Sequence, residues 1–437
     1  MCGFVATKNT INIIPALESM QYRGYSKMYN GYRKHEQFQF AHTSLPFVDL
    51  DPANAVQPRT PRGNTNSLFV GEIFNYAELG YKDDIECIDD TFHSYKGLYG
   101  FHRFDGFWSY VTIDDFGDLI GVTDHLSIKP IYYRTDVVAM ASEPDALKHF
   151  GPVTRNELFH SNVLKWGYNP GPETPWNEIK QVPPGHYVKN GQVFPYWDWD
   201  AIVHTDIKTE LTWATSSRLG GQRDIAILLS GGLDSTIIYN IITETLKRKV
   251  TAIHVENGEA DFAHLVCDDL VHVTLDDVTD EEAVRIHQTP VDLGSTKPQI
   301  AMARKLKELG FNAVLTGDGA DELFGGYRRA AEYDSQHSDI FCELPYYHLP
   351  KLDRTMMDST IELRSPFLAP AVVKYAMNLR YELRNGTKKV LMQHFADLVP
   401  ARIINRSKHP LKTDKIRKDP MDQRKINEKI WSELNGQ

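Results

Sequence analysis

The chain has 437 residues, 41% hydrophobic and 24% charged, with a formal net charge of −10. That length exceeds one ordinary core, so two or three domains are expected, and the composition is that of a soluble globular protein. The negative balance argues against non-specific nucleic-acid binding. No run reaches the ~20 apolar residues of a membrane span, and the first ten residues lack a secretory apolar core, so a cytoplasmic protein is expected.

In chain order, Cys2 to Thr7 is a short apolar strand. Removal of Met1 would give Cys2 a free α-amine, and a thiol beside its own general base can attack a carboxamide. Leu17, Met20 and residues 90–99 are the helix candidates of this region. Residues 67–74 read as a strand, residues 107–113 and 119–122 as a hairpin, and residues 131–133 and 137–141 continue the β pattern. The linker is expected from Pro183 to Asp206, a stretch rich in Pro, Trp and Asp. Cys87, Cys267 and Cys342 have no CxxC spacing and read as buried thiols, so neither a zinc site nor a redox dithiol is indicated. So few thiols fit a reducing compartment.

After residue 205 the pattern alternates. Strand 225–229 leads to helix 235–247, and strand 250–255 to a helix near 260–270. Strand 271–275, helix 299–309 and strand 313–316 follow, and beyond residue 340 the chain reads as helical. Alternation of this kind predicts a parallel sheet covered by helices, with ligands beyond the carboxyl ends of its strands. The stretch 402–429 is locally basic and reads as a solvated helix face.

Two loops stand at such strand ends. Ser230-Gly231-Gly232-Leu233-Asp234-Ser235-Thr236 combines glycines that admit close approach of phosphate with hydroxyls and a helix start. Asp234 would repel phosphate unless a Mg²⁺ lay between them, so an acid in a phosphate loop points to metal. No Lys-bearing GxxxxGK[ST] loop occurs. The second loop runs from Thr316 to Tyr327 and contains Gly317, Asp318 and Asp321. Asp321 and Asp234 can share a Mg²⁺; Asp318 can contact pyrophosphate through metal or act as a base.

SGGLDST followed by TGDGADELFGGY resembles the synthetase half of the glutamine-dependent asparagine synthetases. Residues 353–368 (DRTMM through IELRSPFL) and Lys388 in TKKVL continue the resemblance, with Met392 where an Arg is usual. At the N-terminus, Ala41-His42 to Leu45 with 47–50, Gly71-Glu72-Ile73-Phe74-Asn75 and Asp124-His125 to Tyr133 resemble that family's glutaminase domain.

The resemblance implies an α/β protein. Residues 2–195 form an N-terminal nucleophile αββα sandwich, the glutaminase-like domain. Residues 205–437 form a parallel-sheet nucleotide-binding (PP-loop) domain with C-terminal helices. It implies ATP with Mg²⁺, attack of aspartate on the α-phosphorus of ATP, a β-aspartyl-AMP intermediate, and nitrogen from glutamine or ammonia. Catalytic roles fall on Cys2, Asp318, Arg364 and Lys388. Nucleotide contacts fall on Leu229, Ser230, Gly231, Gly232, Asp234, Ser235, Val255, Thr316 and Gly317, and the metal on Asp234 and Asp321. Glutamine binding falls on Gly71, Glu72 and Asp90. Ser127 stands in place of a Gly and Gly24-Tyr25-Ser26 in place of GPD, but two departures matter: Ser44 in place of the glutamine-carboxylate Arg and Val70 in place of the oxyanion Asn. They imply weak glutamine capture. A paralogue amidating or cyclising another carboxylate and a non-catalytic binding protein are the rival readings. Partners are small molecules, with no nucleic acid or membrane; the sequence does not fix the oligomeric state, and a homodimer is one option.

Overall fold

The computed structural model describes residues 2–47, 51, 55–59, 66–94, 96–199, 206–221, 224–256, 260–290, 294–327, 343–380, 383, 388–406 and 420–437. Cys342, residues 48–50 of the glutaminase-like motif and residues 407–419 of the basic stretch lie outside them.

Among the described residues, eleven strands precede residue 196: β1 Gly3–Thr7, β2 Asn30–His35, β3 Phe38–Thr43, β4 Leu68–Ile73, β5 Gly106–Ile113, β6 Leu119–Thr123, β7 Tyr132–Arg134, β8 Ala139–Ala141, β9 Ile179–Gln181, β10 His186–Lys189 and β11 Gln192–Pro195. They build two antiparallel sheets, ordered β2-β3-β1-β8-β7-β9 and β11-β10-β6-β5-β4. Strand alternation explains how the sheets stack. Phe4 and Ala6 of β1 meet Leu68 and Val70 of β4 in one core, whereas Val5 turns to the opposite face with Ala16, Leu17 and Trp431. On the far side of the second sheet, Phe69 and Trp108 pack with Ile85 and Ile88 of the helix Asp84–Phe92. Two sheets between helical layers make the αββα sandwich.

The third sheet is parallel: β12 Ile225–Leu228, β13 Thr251–Val255, β14 Val271–Val273, β15 Ala313–Leu315 and β16 Glu362–Arg364, in the order β14-β13-β12-β15-β16. The chain leaves β12 toward β13 on one side and resumes at β15 on the other. The crevice between the carboxyl ends of β12 and β15 is therefore a topological switch point, where ligands of open α/β sheets bind. Both glycine-rich loops start there.

Several boundaries differ from the sequence expectations. The stretch expected as linker from Pro183 contains β10 and β11, because Pro183-Pro184-Gly185 makes only a turn before the chain rejoins the sheet edge. The helix expected at 90–99 runs Asp84–Phe92, started by the Asp83 side chain accepting from the Glu86 amide at 2.7 Å. The helix near 260–270 shrinks to Ala260–Ala263. Helical chain beyond 340 is interrupted by β16, whose three residues are too few to show a period. Ser127, which replaces a glycine of the family pattern, holds φ +55. Among the described residues no helix is long and apolar enough to cross a membrane.

Buried charge joins the N-terminal sandwich to the parallel-sheet half. Arg23 lies 2.5 Å from Glu143 and 2.8 Å from Asp353. Lys129 lies 2.6 Å from Asp353, and Arg354 3.1 Å from Glu143. The helix Pro420–Asn435 returns to the sandwich, where Trp431 packs against Trp176 with ring centres 5.0 Å apart. Paired charges of this kind fix one docking geometry more than they add net stability.

Candidate functional site

Two sites emerge, one in each half. The first surrounds Cys2, which precedes β1 in the middle of its sheet. Its carbonyl accepts from Arg23 Nε at 3.0 Å, and the Leu45 amide donates to its Sγ at 3.4 Å. Burial pushes the thiol pKa up, opposed by the N-terminal positive charge and the Leu45 amide; Glu362 and Glu72 push it up further. The resting sulfur is a thiol, so attack requires a base at hand, and removal of Met1 would supply one as the Cys2 α-amine.

Beside Cys2 opens a cavity of about 590 Å³ lined by Ser44, Gln57, Arg59, Gly71, Glu72 and residues 82–85, among others. β4 is the edge of its sheet and forms one wall. Ser67 pairs its outer edge with Arg59, and the Gln57 side chain bonds both the amide and the carbonyl of Phe69, at 2.7 and 3.0 Å. Alternation makes Gly71 the next residue on that edge, so its amide faces the cavity. A side chain there is impossible: φ is +139, and an added Cβ would stand 2.0 Å from the Phe107 carbonyl oxygen.

Val70 points into the core between the sheets and offers no oxyanion donor. Ser44 Oγ lies 2.9 Å from His42 Nδ1 and 3.0 Å from the Ala55 carbonyl. His42 is neutral, its pKa lowered to about 3 by burial. Its Nε2, 3.1 Å from the Phe69 carbonyl, therefore carries the proton, and Nδ1 accepts from Ser44.

The cavity does contain cations that sequence reading missed. Arg59 lies 3.1 Å from Asp83, and Lys82 lies 3.7 Å from Glu86. No motif marks either residue; only the fold brings them to the thiol. Glu72 lines the cavity. Asp90 is a correction: it is absent from the cavity wall and accepts from Tyr81 Oη at 3.0 Å. Asp84 lines the cavity instead. Six residues along one helix turn a side chain roughly 240° away, so both acids cannot face the same space. Burial, then the neighbouring Asp83, push the Asp84 carboxyl up to about 7.

The second site lies at the switch point. The Leu229 amide donates to the Ile253 carbonyl at 2.9 Å, which pins the end of β12 to β13, the strand that Val255 closes. Ser230 and Ser235 hydroxyls are 3.1 Å apart, and the Gly232 amide donates to Ser230 Oγ at 3.2 Å. The Gly231 carbonyl accepts from Arg406 Nη1 at 2.9 Å, a cation outside the motifs. An added Cβ at Gly317 would stand 2.8 Å from Asp234 Cβ, so glycine is what lets the two loops touch.

Asp234 and Asp321, one from each loop, converge on a single cation. Lys388 Nζ is 2.5 Å from Asp234 Oδ2 and 2.6 Å from Asp321 Oδ1. Burial pulls the Lys388 pKa down, but the two carboxylates outweigh burial and hold it above its ordinary value. Among the described residues no group of three or more His, Cys, Asp or Glu could hold an ion by itself. Two carboxylates that already share one cation position suit Mg²⁺, which takes one or two carboxylates plus substrate phosphates. Thr316 donates its amide to the Arg364 carbonyl at 3.1 Å, and the Asp318 carbonyl accepts from Ser365 Oγ at 2.5 Å. Burial raises the Asp318 pKa, partly offset by Lys351.

Arg364 is the second correction. Its guanidinium faces the thiol half rather than the phosphate loops. Nε lies 2.6 Å from Glu362, Nη1 donates to the Arg218 and Gly220 carbonyls at 2.9 and 2.7 Å, and Nη2 lies 3.9 Å from Glu72. The Phe47 and Phe74 rings flank it at 4.6 and 5.3 Å. A strand turns adjacent side chains to opposite faces, and position 364 faces the sandwich.

Comparison with known proteins covers both halves. Residues 206–341 and 332–435 match the asparagine synthase family, and residues 1–197 match the glutamine amidotransferase domain. A probable glutamine-hydrolyzing asparagine synthetase of Acanthamoeba polyphaga mimivirus is 26% identical, over 84% of this chain and 75% of its own length. Asparagine synthetase B of Escherichia coli K12 is 26% identical over 84% of this chain and 73% of its own. Glutamine-hydrolyzing asparagine synthetase 3 of Arabidopsis thaliana is 25% identical over 93% and 78%.

Proposed function

The chain belongs to the glutamine-dependent asparagine synthetase family, and from that premise we propose that it is a carbon–nitrogen ligase converting aspartate to asparagine at the expense of ATP. The division of labour is residues 2–195 for nitrogen release and residues 205–437 for adenylation. The observation that carries this reading is the meeting of Asp234 and Asp321 at one cation position between two strand-end loops.

In the adenylation half, the aspartate side-chain carboxylate attacks the α-phosphorus of ATP, giving β-aspartyl-AMP and pyrophosphate. Charge accumulates on the leaving pyrophosphate, so positive groups there lower the barrier. Lys388 is that group, held at the crevice by Asp234 and Asp321 until phosphate oxygens offer themselves. Mg²⁺ arriving with ATP would be held by the same two carboxylates and would neutralise phosphate charge. The amides and hydroxyls of residues 230–235 cradle phosphate oxygens. Ammonia then displaces AMP, and Asp318 of the second loop takes a proton.

In the nitrogen-releasing half, the Cys2 amine takes the thiol proton and the thiolate adds to the glutamine carboxamide. The Gly71 amide receives the developing oxyanion, the C–N bond breaks as the amine returns its proton to the departing ammonia, and water hydrolyses the Cys2 thioester to glutamate. Glu72 and Asp84 receive the substrate ammonium group, and Arg59 its carboxylate. A void of about 20 Å³, lined by Phe107, Ile128 and Lys129 from one side and Arg218, Leu352 and Leu363 from the other, lies where the two halves meet. It has room for about one molecule the size of water or ammonia.

Pyrophosphate release across a panel of carboxylates, with glutamine and ammonia compared, tests the reading. Release with aspartate above all others supports it. A different acceptor, or no release, overturns it.

A further inference from the structure

We propose that Arg364 is a positioning residue of the glutamine site, reaching from the parallel sheet into the sandwich to hold Glu72 as the acceptor for the substrate's ammonium group. This rests on the glutamine-hydrolysing reading above and deepens it.

The geometry is unusual for a surface between two halves. Arg364 is 1% exposed. Its Nε is taken by Glu362 at 2.6 Å, and Nη1 by the carbonyls of Arg218 and Gly220. The Phe47 and Phe74 rings pack against it, their centres 4.6 and 5.3 Å from its guanidinium carbon. Three separate anchors and two aromatic walls leave the plane no freedom to turn. What remains is Nη2, which stands 3.9 Å from Glu72 Oε1 in the wall of the thiol cavity. A fixed guanidinium beside a cavity carboxylate orients it without blocking its second oxygen.

Electrostatics make the contact necessary. Burial first, then Glu362 and Asp84, hold the Glu72 carboxyl well above its ordinary value; Arg364 and the N-terminal positive charge offset part of that rise. The Cys2 thiol also faces it, since Glu72 in turn raises the thiol. Arg59, Lys82 and Asp83 complete the charged lining of the cavity. A protonated Glu72 cannot accept an ammonium ion as a charged partner. Removing Arg364 leaves burial and two acids unopposed except by the N-terminus.

The same residue touches the other site through its backbone. Its carbonyl accepts the Thr316 amide at 3.1 Å, and the next residue, Ser365, bonds the Asp318 carbonyl. One strand end therefore supports the phosphate loop with its main chain and the glutamine site with its side chain.

The test is the KM for glutamine against pH, measured as glutamate release by the full-length protein, with ammonia-driven pyrophosphate release on the same preparations for normalisation. In the wild type, KM falls to a plateau as Glu72 ionises. In Arg364→Gln that limb moves to higher pH, and KM at neutral pH rises by about tenfold for each unit of displacement. Arg364→Lys restores part of the displacement. Glu72→Gln keeps only the limb that Asp84 contributes, and adding Arg364→Gln to it leaves that limb unmoved. Should Arg364→Gln fail to fold, the Lys variant carries the test through its intermediate limb. An unmoved limb in a folded Arg364 variant, or a loss of kcat alone, overturns the assignment. A wild type that releases no glutamate from glutamine overturns the glutaminase reading itself, a different and separately visible result.

Discussion

Lys388 stands 2.6 Å from Asp321, a residue 67 positions earlier in the chain, and the pair meets at the crevice where strand order reverses. The backbone of Lys388 takes φ 51, ψ 35, a left-handed conformation rare for a residue with a side chain. Strain of that kind persists where the surroundings over-determine it. Here the two carboxylates and the start of the helix Lys389–His394 do so.

Asp321→Asn should abolish pyrophosphate release with either nitrogen donor while leaving the fold intact. Lys388→Ala should lower kcat with both donors by roughly two orders of magnitude or more, as expected on losing a group that stabilises transition-state charge. Quenched-flow measurement of pyrophosphate separates the two. A defect confined to glutamine-driven turnover would place Lys388 outside adenylation.

Asp353 offers a stability test at the junction. Burial raises its pKa, but Arg23 and Lys129 outweigh that and hold it at about 2. Because the folded value lies below the unfolded one, its stabilising contribution is present above about pH 4. It is lost as pH falls toward 2. Asp353→Asn leaves buried Lys129 without its carboxylate and Arg23 with Glu143 alone, a loss on the order of 3–5 kcal/mol for a broken buried pair. Thermal melts at neutral pH should show the variant well below the wild type, and the gap should close in acid.

Asp84 has the opposite sign. Its folded pKa of about 7 exceeds the unfolded value, so its contribution is full in acid and is lost as pH rises through 7. Asp84→Asn should therefore melt with the wild type below about pH 4 and above it at pH 8. The same change should raise the KM for glutamine, because stability gained at a binding residue is commonly lost from function. Equal melting temperatures at pH 8 would count against a strained acid in the cavity.

The phosphate loops were legible because local chemistry writes them: glycine, hydroxyl and acid must lie within a few residues of a strand end. Ser230, Asp234, Gly317 and Asp321 therefore announce themselves. Arg59, Lys82 and Arg406 carry no such signature, since their place depends on tertiary contacts made far away in sequence. Asp90 and Asp84 share one helix and one residue type, and composition alone could not say which faced the thiol. The three-residue strand β16 was invisible to periodicity, which hid the direction of Arg364. Strands β1 and β4 were legible as apolar runs and the sandwich only through the family resemblance, and its last hairpin hid behind Pro183-Pro184-Gly185.

The cations of the thiol cavity decide between the nitrogen donors. From sequence, Ser44 and Val70 remove one group that grips glutamine and one that stabilises its oxyanion, and ammonia is expected to serve at least as well as glutamine at saturation. Ser44 is turned to His42, and Val70 is buried between sheets, so neither compensates for the missing group. Arg59 does line the cavity, yet it is already shared with Asp83 at 3.1 Å, and its side chain remains 25% exposed. A solvated, shared guanidinium binds a carboxylate less tightly than a buried bidentate one. Glutamine should therefore work, with a KM above the usual ~1 μM–1 mM range. Arg59→Ala should raise that KM further with little change in ammonia-driven turnover. Cys2→Ala should remove glutamine-driven turnover and spare the ammonia reaction. Steady-state kinetics with both donors on these two variants gives the answer. A KM for glutamine in the ordinary range that Arg59→Ala leaves untouched would mean that another group grips the substrate carboxylate, and Lys82 would be the next residue to change.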